Sequence, residues 1–440
     1  MPTVTSNSDP SFAGGDAAKL LALAGEAIFF FIVLMSALIP GVHLPTIKIA
    51  DQTVMASELA MIACLPLMLL LLWPSWRMER AWWPIVSVMT IALTYGVISA
   101  LMWSGIEVRA GLTGQLVVVA CTWSALGSAC LLVGAQARDE LPRMLDRLTI
   151  MIAGITFIYV AKSWYAGALG LDFIRLQEQR TGGPLASPAV LHFLLLPPLG
   201  WALARLLATV GRERWRHIAI AAVLGIGLLS ARSRGAILGL VIFVVVGLLL
   251  MRDAQMRRRL LSIIFVVVAI TVTVMWSQPN TDRLAQFGDE NRQMNLESVQ
   301  RALAFDPLIT VRGWGLGHFW NWYRTDVQSI VEGPSIYEFG FLHIETQFGT
   351  MLYHPHSLLL FLLAELGIIG AAVIAIIWGT LLWASFRPTT TTTGLVAAGL
   401  LGSTTALVFD LLLFKGFVTS AVWWVFFFSC LRHDRSNTDL

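Results

Sequence analysis

Charge is scarce in this chain: 13% of its 440 residues are charged, and 57% are hydrophobic. That balance excludes an ordinary soluble protein, because uncharged apolar runs of about 18 residues or more recur, each long enough to cross a bilayer. Cysteine is nearly absent. The four present, Cys64, Cys121, Cys130 and Cys430, all fall inside apolar runs and form no CxxC pattern, which argues against both a disulfide framework and a thiolate metal site. The net charge of +3 provides no reason to invoke nucleic acid. Met1–Asp16 lacks the basic start and clear cleavage site of a signal peptide and reads as a disordered cytoplasmic tail. Also missing are a P-loop, an Asp-x-Asp pair and any outside cluster of carboxylates that would recruit a divalent metal.

What is present is a series of long Leu/Val/Ala/Gly-rich segments, which can satisfy their backbone inside a membrane only as helices. They predict an all-α polytopic membrane protein with about twelve transmembrane helices. The expected spans are Leu20–Ile39, Met55–Trp73, Pro84–Trp103, Gly111–Ala135, Leu148–Gly167, Ser187–Thr209, His217–Ser230, Gly235–Met251, Leu260–Trp276, Ser357–Trp383, Thr392–Phe414 and Val418–Leu431. Basic residues concentrate in alternate connections, among them Arg138/Arg143/Arg147, Arg205/Arg212/Arg214/Arg216 and Arg252/Arg257/Arg258/Arg259. The positive-inside bias makes these cytoplasmic and puts both termini inside. One outside connection, Gln278 to His356, is roughly 80 residues long, far beyond the usual length, and such loops are usually functional. The chain therefore divides into residues 1–277 with nine spans, a large outside loop at 278–356, and residues 357–440 with three more spans.

Within the loop, Asp289 or Asn291 can cap a helix in which Leu296, Val299 and Leu303 share one face and Glu297 and Arg301 form an i,i+4 pair. Asp306–Pro307 ends it. The spacing predicts an amphipathic helix lying on the membrane or roofing the bundle. A glycine-rich turn, Arg312–Gly313–Trp314–Gly315–Leu316–Gly317, follows without the βαβ setting of a dinucleotide site. Trp314, Trp320, Trp322 and Tyr323 cluster around it, suited either to stacking on sugar rings or headgroups, or to simple packing. The loop closes on Tyr353–His354–Pro355–His356–Ser357, at the mouth of a helix that holds Glu365, Gly367 and Gly370. Histidine is the side chain best suited to take a proton from a hydroxyl near neutral pH.

Arginines recur on the same side. Arg232 and Arg234 occupy a short outside turn against the positive-inside bias, and Arg292, Arg312 and Arg180 add to the set. Guanidinium forks match phosphate geometry, so a basic cluster above a membrane bundle points to a lipid phosphate or pyrophosphate. Glu26, Glu58, Lys162, Glu365 and Asp410 lie in or near spans, and proton-coupled transport is the competing reading of these charges.

These motifs resemble the O-antigen ligase family, within the group that includes O-antigen polymerases and protein O-oligosaccharyltransferases. The family's His-[Asn/Ser/Gln]-x9-Gly-x-x-Gly reads here as His356–Ser357, nine residues, then Gly367 and Gly370; this spacing selects His356 over His354. Its Arg-x3-Leu is matched by Arg234 and Leu238, and Arg292 through Asp306–Pro307 to the Gly-x-Gly turn resembles the opening of the family's loop. Ser357 stands where asparagine is commoner. The resemblance implies an inverting, metal-independent glycosyltransferase without cofactor, in a bacterial inner membrane with its active site facing the periplasm. Its donor would be undecaprenyl-pyrophosphate-linked O-antigen and its acceptor lipid A–core, among membrane lipids and without nucleic acid. His356 would be the general base, with Arg234, Arg292 and Arg232 on the leaving pyrophosphate. Arg312, Arg180, His354 and Trp314 would contribute to substrate binding. The rivals are a polymerase using a second lipid-linked glycan, an O-oligosaccharyltransferase (a class that usually extends further past its last span), and a transporter or flippase, for which no half-to-half repeat is visible.

Overall fold

The computed structural model describes residues 11–38, 46–49, 52–103, 112–169, 185, 187, 189–251, 254–255, 257–259, 261–262, 290–317, 319–320, 343–352, 355–386 and 391–432. The first half contains α1 (Ser11–Leu38), the hairpin β1 (Thr46–Ile49) and β2 (Gln52–Met55), α2 (Ala56–Leu72), α3 (Trp83–Trp103), α4 (Leu112–Ala135), α5 (Leu141–Leu169), α6 (Leu191–Ala208), α7 (Arg212–Ser230) and α8 (Arg234–Leu250). The loop contributes α9 (Glu290–Phe305), α10 (Ile309–Arg312), and the hairpin β3 (His343–Thr346) and β4 (Gly349–Leu352). The end of the chain holds α11 (Leu358–Phe386), α12 (Thr391–Ser403), α13 (Leu412–Lys415) and α14 (Phe417–Arg432). Among the described residues, seven helices are long and apolar enough to cross a membrane, and α2, α8 and α14 are shorter apolar ones. The protein is an all-α, multi-pass membrane protein.

The bundle is built around α6 and α12, whose surfaces are buried nearly all round, whereas α1 leaves most of its face open. A helix apolar on every side belongs in such a centre. Their crossing depends on small residues: a side chain at Gly200 would run into the backbone of Leu395, and one at Gly399 would lie 2.5 Å from the carbonyl of Leu196. Gly239 of α8 and Gly402 of α12 meet in the same way. With lipid outside, close backbone approach replaces hydrophobic burial as the source of helix association. Tryptophans finish the packing, with Trp423 stacked on Phe193 at 5.4 Å and its indole donating to Ser403 at 2.7 Å.

Several expectations change. Helix α1 begins at Ser11, so residues 11–16 are helical and do not belong to a disordered tail. The span expected at Thr392–Phe414 is not one helix: α12 stops at Ser403, a 3-10 turn covers Thr404–Val408, and α13 is a single short turn. The two hairpins were not legible in the apolar pattern. In α9 the buried face is not the Leu296/Val299/Leu303 stripe; Leu296 is 43% exposed, while Asn295, Ser298, Val299 and Ala302 are buried. The expected Glu297–Arg301 pair does form, at 3.1 Å, and the helix ends at Phe305 as Asp306–Pro307 predicts. The span expected at Leu260–Trp276 lies almost wholly outside the described residues.

The loop also reaches deeper than a roof. The Tyr95 hydroxyl donates to the Arg312 carbonyl at 2.5 Å, and Gly96 packs against Leu316. Both Tyr95 and Gly96 belong to the membrane-length stretch Arg80–Ser99. The corner between α9 and α10 thus sits at the level of the helices, and its exposed Phe305, Leu308 and Val311 continue the apolar surface of α11 at Ile368.

Candidate functional site

The site begins with two backbone outliers. Among the described residues, Arg232 (φ 46°) and His356 (φ 48°) are the non-glycine positions with positive φ. Bulky side chains avoid this region, and strain of this kind is held only where surrounding structure over-determines it. Arg232 terminates the turn between α7 and α8. Ser233 then caps α8, its hydroxyl accepting from the Ala236 amide at 3.4 Å and donating to the Ala189 carbonyl at 2.7 Å. Arg234 is the first residue of α8 and is exposed. An arginine pair at a helix N-terminus adds full charges to the positive end of the backbone dipole, a combination suited to an anion.

Arg292 approaches that turn from the loop. Its guanidinium lies over the ring of Phe409, 4.6 Å from the centroid, and a side chain at Gly235 would meet the other part of the same ring at 2.9 Å. Phe409 is therefore wedged between α9 and the first turn of α8, and brings Arg292 next to the residue that follows Arg234. The break between α12 and α13, which the hydropathy pattern hides, is what leaves Phe409 free to do this. His192, fully buried below Gly235, has neither ring nitrogen hydrogen-bonded.

His356 arrives on the same helix. Arg301 donates to the Phe348 carbonyl at 2.9 Å, Ser298 to the Thr350 carbonyl at 3.3 Å, and Asn295 to the Pro355 carbonyl at 2.9 Å. Oδ1 of Asn295 accepts from the Leu352 amide at 2.8 Å. These residues stand three apart, a row that runs obliquely over a helix surface. The bonded residues Phe348, Thr350, Leu352 and Pro355 step toward the α9 N-terminus; the half-buried His356 directly follows Pro355, and Arg292 is one further step along the row.

After His356, α11 holds the glycine pair. Gly367 has φ 57°, ψ −134°, and divides α11 into arms at 358–366 and 368–386. A side chain at Gly370 would strike the Leu362 carbonyl, so the arms fold closely on one another. The gap receives the loop's glycine turn. The Trp314 amide donates to the Ala364 carbonyl at 2.8 Å and the Gly315 amide to the Glu365 carbonyl at 2.9 Å. The Glu365 carboxylate, completely buried, accepts from the amides of Gly317 and Trp320, the latter at 2.9 Å.

A family model described as O-antigen ligase matches residues 219–375. Those residues are similar to the O-antigen ligase family. The matched stretch runs from within α7 to within α11 and contains Arg232, Arg234, Arg292, Arg312, Trp314 and His356. No curated protein matches the chain significantly. The likeness to that family is confined to this stretch of the chain.

The other candidates divide sharply. Arg312 forms an ion pair with Asp306 at 2.5 Å, which ties the α9–α10 corner together. Trp314 is half-buried between Phe348 (5.6 Å) and Phe319 (6.4 Å). Trp320 is fully buried and T-shaped against Phe319 at 4.5 Å, so it is a core residue, not an exposed platform for sugar rings. Leu238 of the Arg-x3-Leu match is 50% exposed on α8. Arg180, His354, Trp322 and Tyr323 lie outside the described residues. Among the described residues no group of three His, Cys, Asp or Glu side chains converges as a metal site.

Glu26, Glu365 and Asp410 have structural partners. Glu26 takes both arms of Arg147, at 2.5 and 2.6 Å, and Asp410 accepts from the Leu411 amide at 2.7 Å. Glu365 clamps the glycine turn. Replacing it by glutamine should leave one of its two amides facing an NH2 group, a cost of about 1–3 kcal/mol for an unsatisfied buried donor. Hydrogen exchange at Gly317 and Trp320 is expected to accelerate accordingly, and unchanged protection there would contradict the clamp.

Proposed function

We propose that the protein is an O-antigen ligase: an inverting glycosyltransferase that moves O-antigen from undecaprenyl pyrophosphate to lipid A–core, on the periplasmic side of the bacterial inner membrane. The observation that supports this reading is that α9 meets the start of α8 through Arg292 and Phe409 and, through Asn295, holds the residue that precedes His356. In the reaction, the His356 imidazole takes the proton of the acceptor hydroxyl. The freed oxygen bonds to the anomeric carbon of the donor from the face opposite the pyrophosphate. The carbon–oxygen bond to pyrophosphate breaks, and undecaprenyl pyrophosphate departs with the electron pair. Arg234, Arg292 and Arg232 neutralise the charge that develops there, in place of a divalent metal. Arg312, Trp314, Arg180 and His354 are further candidates for substrate binding.

Reconstituted protein supplied with lipid-linked glycan and two alternative acceptors tests the assignment. Transfer to lipid A–core with inversion at the anomeric carbon, undiminished by a chelator, is the expected result. Transfer only to a second lipid-linked glycan would make the protein a polymerase. Arg292→Lys and Arg234→Lys keep the charge and lose the fork. Each bidentate charged contact contributes about 1.5–3 kcal/mol, so transfer should fall roughly 10- to 100-fold, measured as kcat/KM for the donor.

A further inference from the structure

We infer that Asn295 is the residue that positions His356, an assignment that rests on the glycosyltransferase reading of the site. Asn295 is completely buried, two-thirds of the way from Arg301 to Arg292 along the hydrogen-bonding row of α9. Its carboxamide uses both of its chemically distinct ends. Oδ1 accepts the Leu352 amide at 2.8 Å, and Nδ2 donates to the Pro355 carbonyl at 2.9 Å. These two backbone groups bracket the short segment between the end of β4 and His356. Leu352 closes the β3–β4 hairpin opposite His343, and neither this pairing nor α11 supplies a partner for the Pro355 carbonyl.

The consequence falls on the next residue. His356 holds φ 48°, a conformation that an unsupported histidine would leave for the ordinary negative-φ region. Its following neighbour is anchored as well, because Ser357 directly precedes α11, its carbonyl accepting from the Phe361 amide at 3.0 Å. With Pro355 held by Asn295 and Ser357 held by the helix, the strained dihedral has nowhere to relax. The backbone from which the imidazole projects is thereby fixed to α9 at Asn295. Only an amide of this length can accept at one end and donate at the other. Aspartate keeps the acceptor and turns the donor into a second acceptor facing the Pro355 carbonyl; leucine keeps the volume and removes both bonds.

The test compares wild-type full-length protein, Asn295→Asp and Asn295→Leu in reconstituted membranes. Two measurements are made on each: donor kinetics, and the rate at which diethyl pyrocarbonate modifies His356, followed by mass spectrometry of its peptide. Displacing a reacting group by about 1 Å costs on the order of 100-fold, so kcat should fall roughly 10- to 100-fold in Asn295→Asp while KM for the donor changes little. His356 modification should change in rate in the same variant. Unchanged kcat with unchanged His356 reactivity overturns the inference, as does a loss of kcat that leaves His356 reactivity as in wild type. Should Asn295→Leu not fold, Asn295→Asp alone decides; an Asn295→Asp protein that also does not fold overturns the positioning role in favour of a purely structural one. Altered His356 reactivity in a protein whose His356→Ala variant still transfers glycan would uphold the positioning and reject the catalytic reading.

Discussion

Replacing His356 by alanine is expected to lower glycan transfer by roughly 10²- to 10⁴-fold, the range a positioned general base contributes. The protein should still reach the membrane in normal amount, because the side chain is half-buried and no hydrophobic core depends on it. The backbone offers an internal control. Alanine at φ 48° inherits the strain of the native conformation, whereas glycine accepts it freely. If the loss arose from a disturbed backbone, His356→Gly would recover much of the activity that His356→Ala lacks. If the imidazole itself takes the proton, the glycine variant should be as inactive as the alanine variant. Transfer rates of the two, measured side by side with donor binding, separate these outcomes.

The second large effect is on folding. Gly367→Ala should destabilise the protein by about 3–5 kcal/mol, the range reserved for a clash combined with a forbidden backbone. An added Cβ would lie 2.5 Å from the Val311 carbonyl oxygen and 2.6 Å from the Gly313 amide, both rigid backbone. Gly313 has its own constraint: at φ 69° it too is in the left-handed region, and a side chain there would strike the Glu365 carbonyl. The two glycines are therefore a lock and its notch, and neither chain can retreat without opening the α10–α11 contact. Gly379, in the same helix, has nothing within 4 Å of a Cβ. Its replacement by alanine should be neutral or stabilising by up to about 1 kcal/mol, as helix propensity requires. Thermal midpoints of the two variants in detergent check the contrast, and a Gly367→Ala protein as stable as Gly379→Ala would refute the notch.

This geometry gives a physical meaning to the spacing between His356 and the two glycines. The nine residues after Ser357 include the first arm of α11, and their number sets how far the histidine stands from the fold-back at Gly367. Change it by one residue and the arm rotates by about 100°, carrying Glu365 away from the amides of Gly317 and Trp320. The motif is as much a packing rule as a catalytic one.

Much was readable without coordinates. Scarce charge and recurrent apolar runs dictated a multi-pass helical protein, because hydrocarbon forbids unsatisfied backbone. The histidine spacing and the arginines singled out candidates, of which Arg292 lies on α9 against Phe409 and His356 follows the residue that α9 anchors. Other residues were hidden for identifiable reasons. Asn295 sits among the charges of a polar helix and carries no signal of its own, since its importance lies in two backbone groups more than fifty residues later in the chain. Phe409 lies in what hydropathy reads as the middle of a span; only the packing of Gly239 against Gly402 and the 3-10 turn that follows reveal it as a break. Glu365 reads equally as a proton-relay carboxylate or a clamp until its partners, two amides of a distant loop, are in view. Composition, being local, determined the membrane class and most of the helices, and spacing singled out the histidine and arginines as candidates. How the segments that carry them are held was decided by tertiary structure alone, because it depends on one buried carboxamide, one aromatic wedge and one left-handed glycine that touch chain segments far away in sequence.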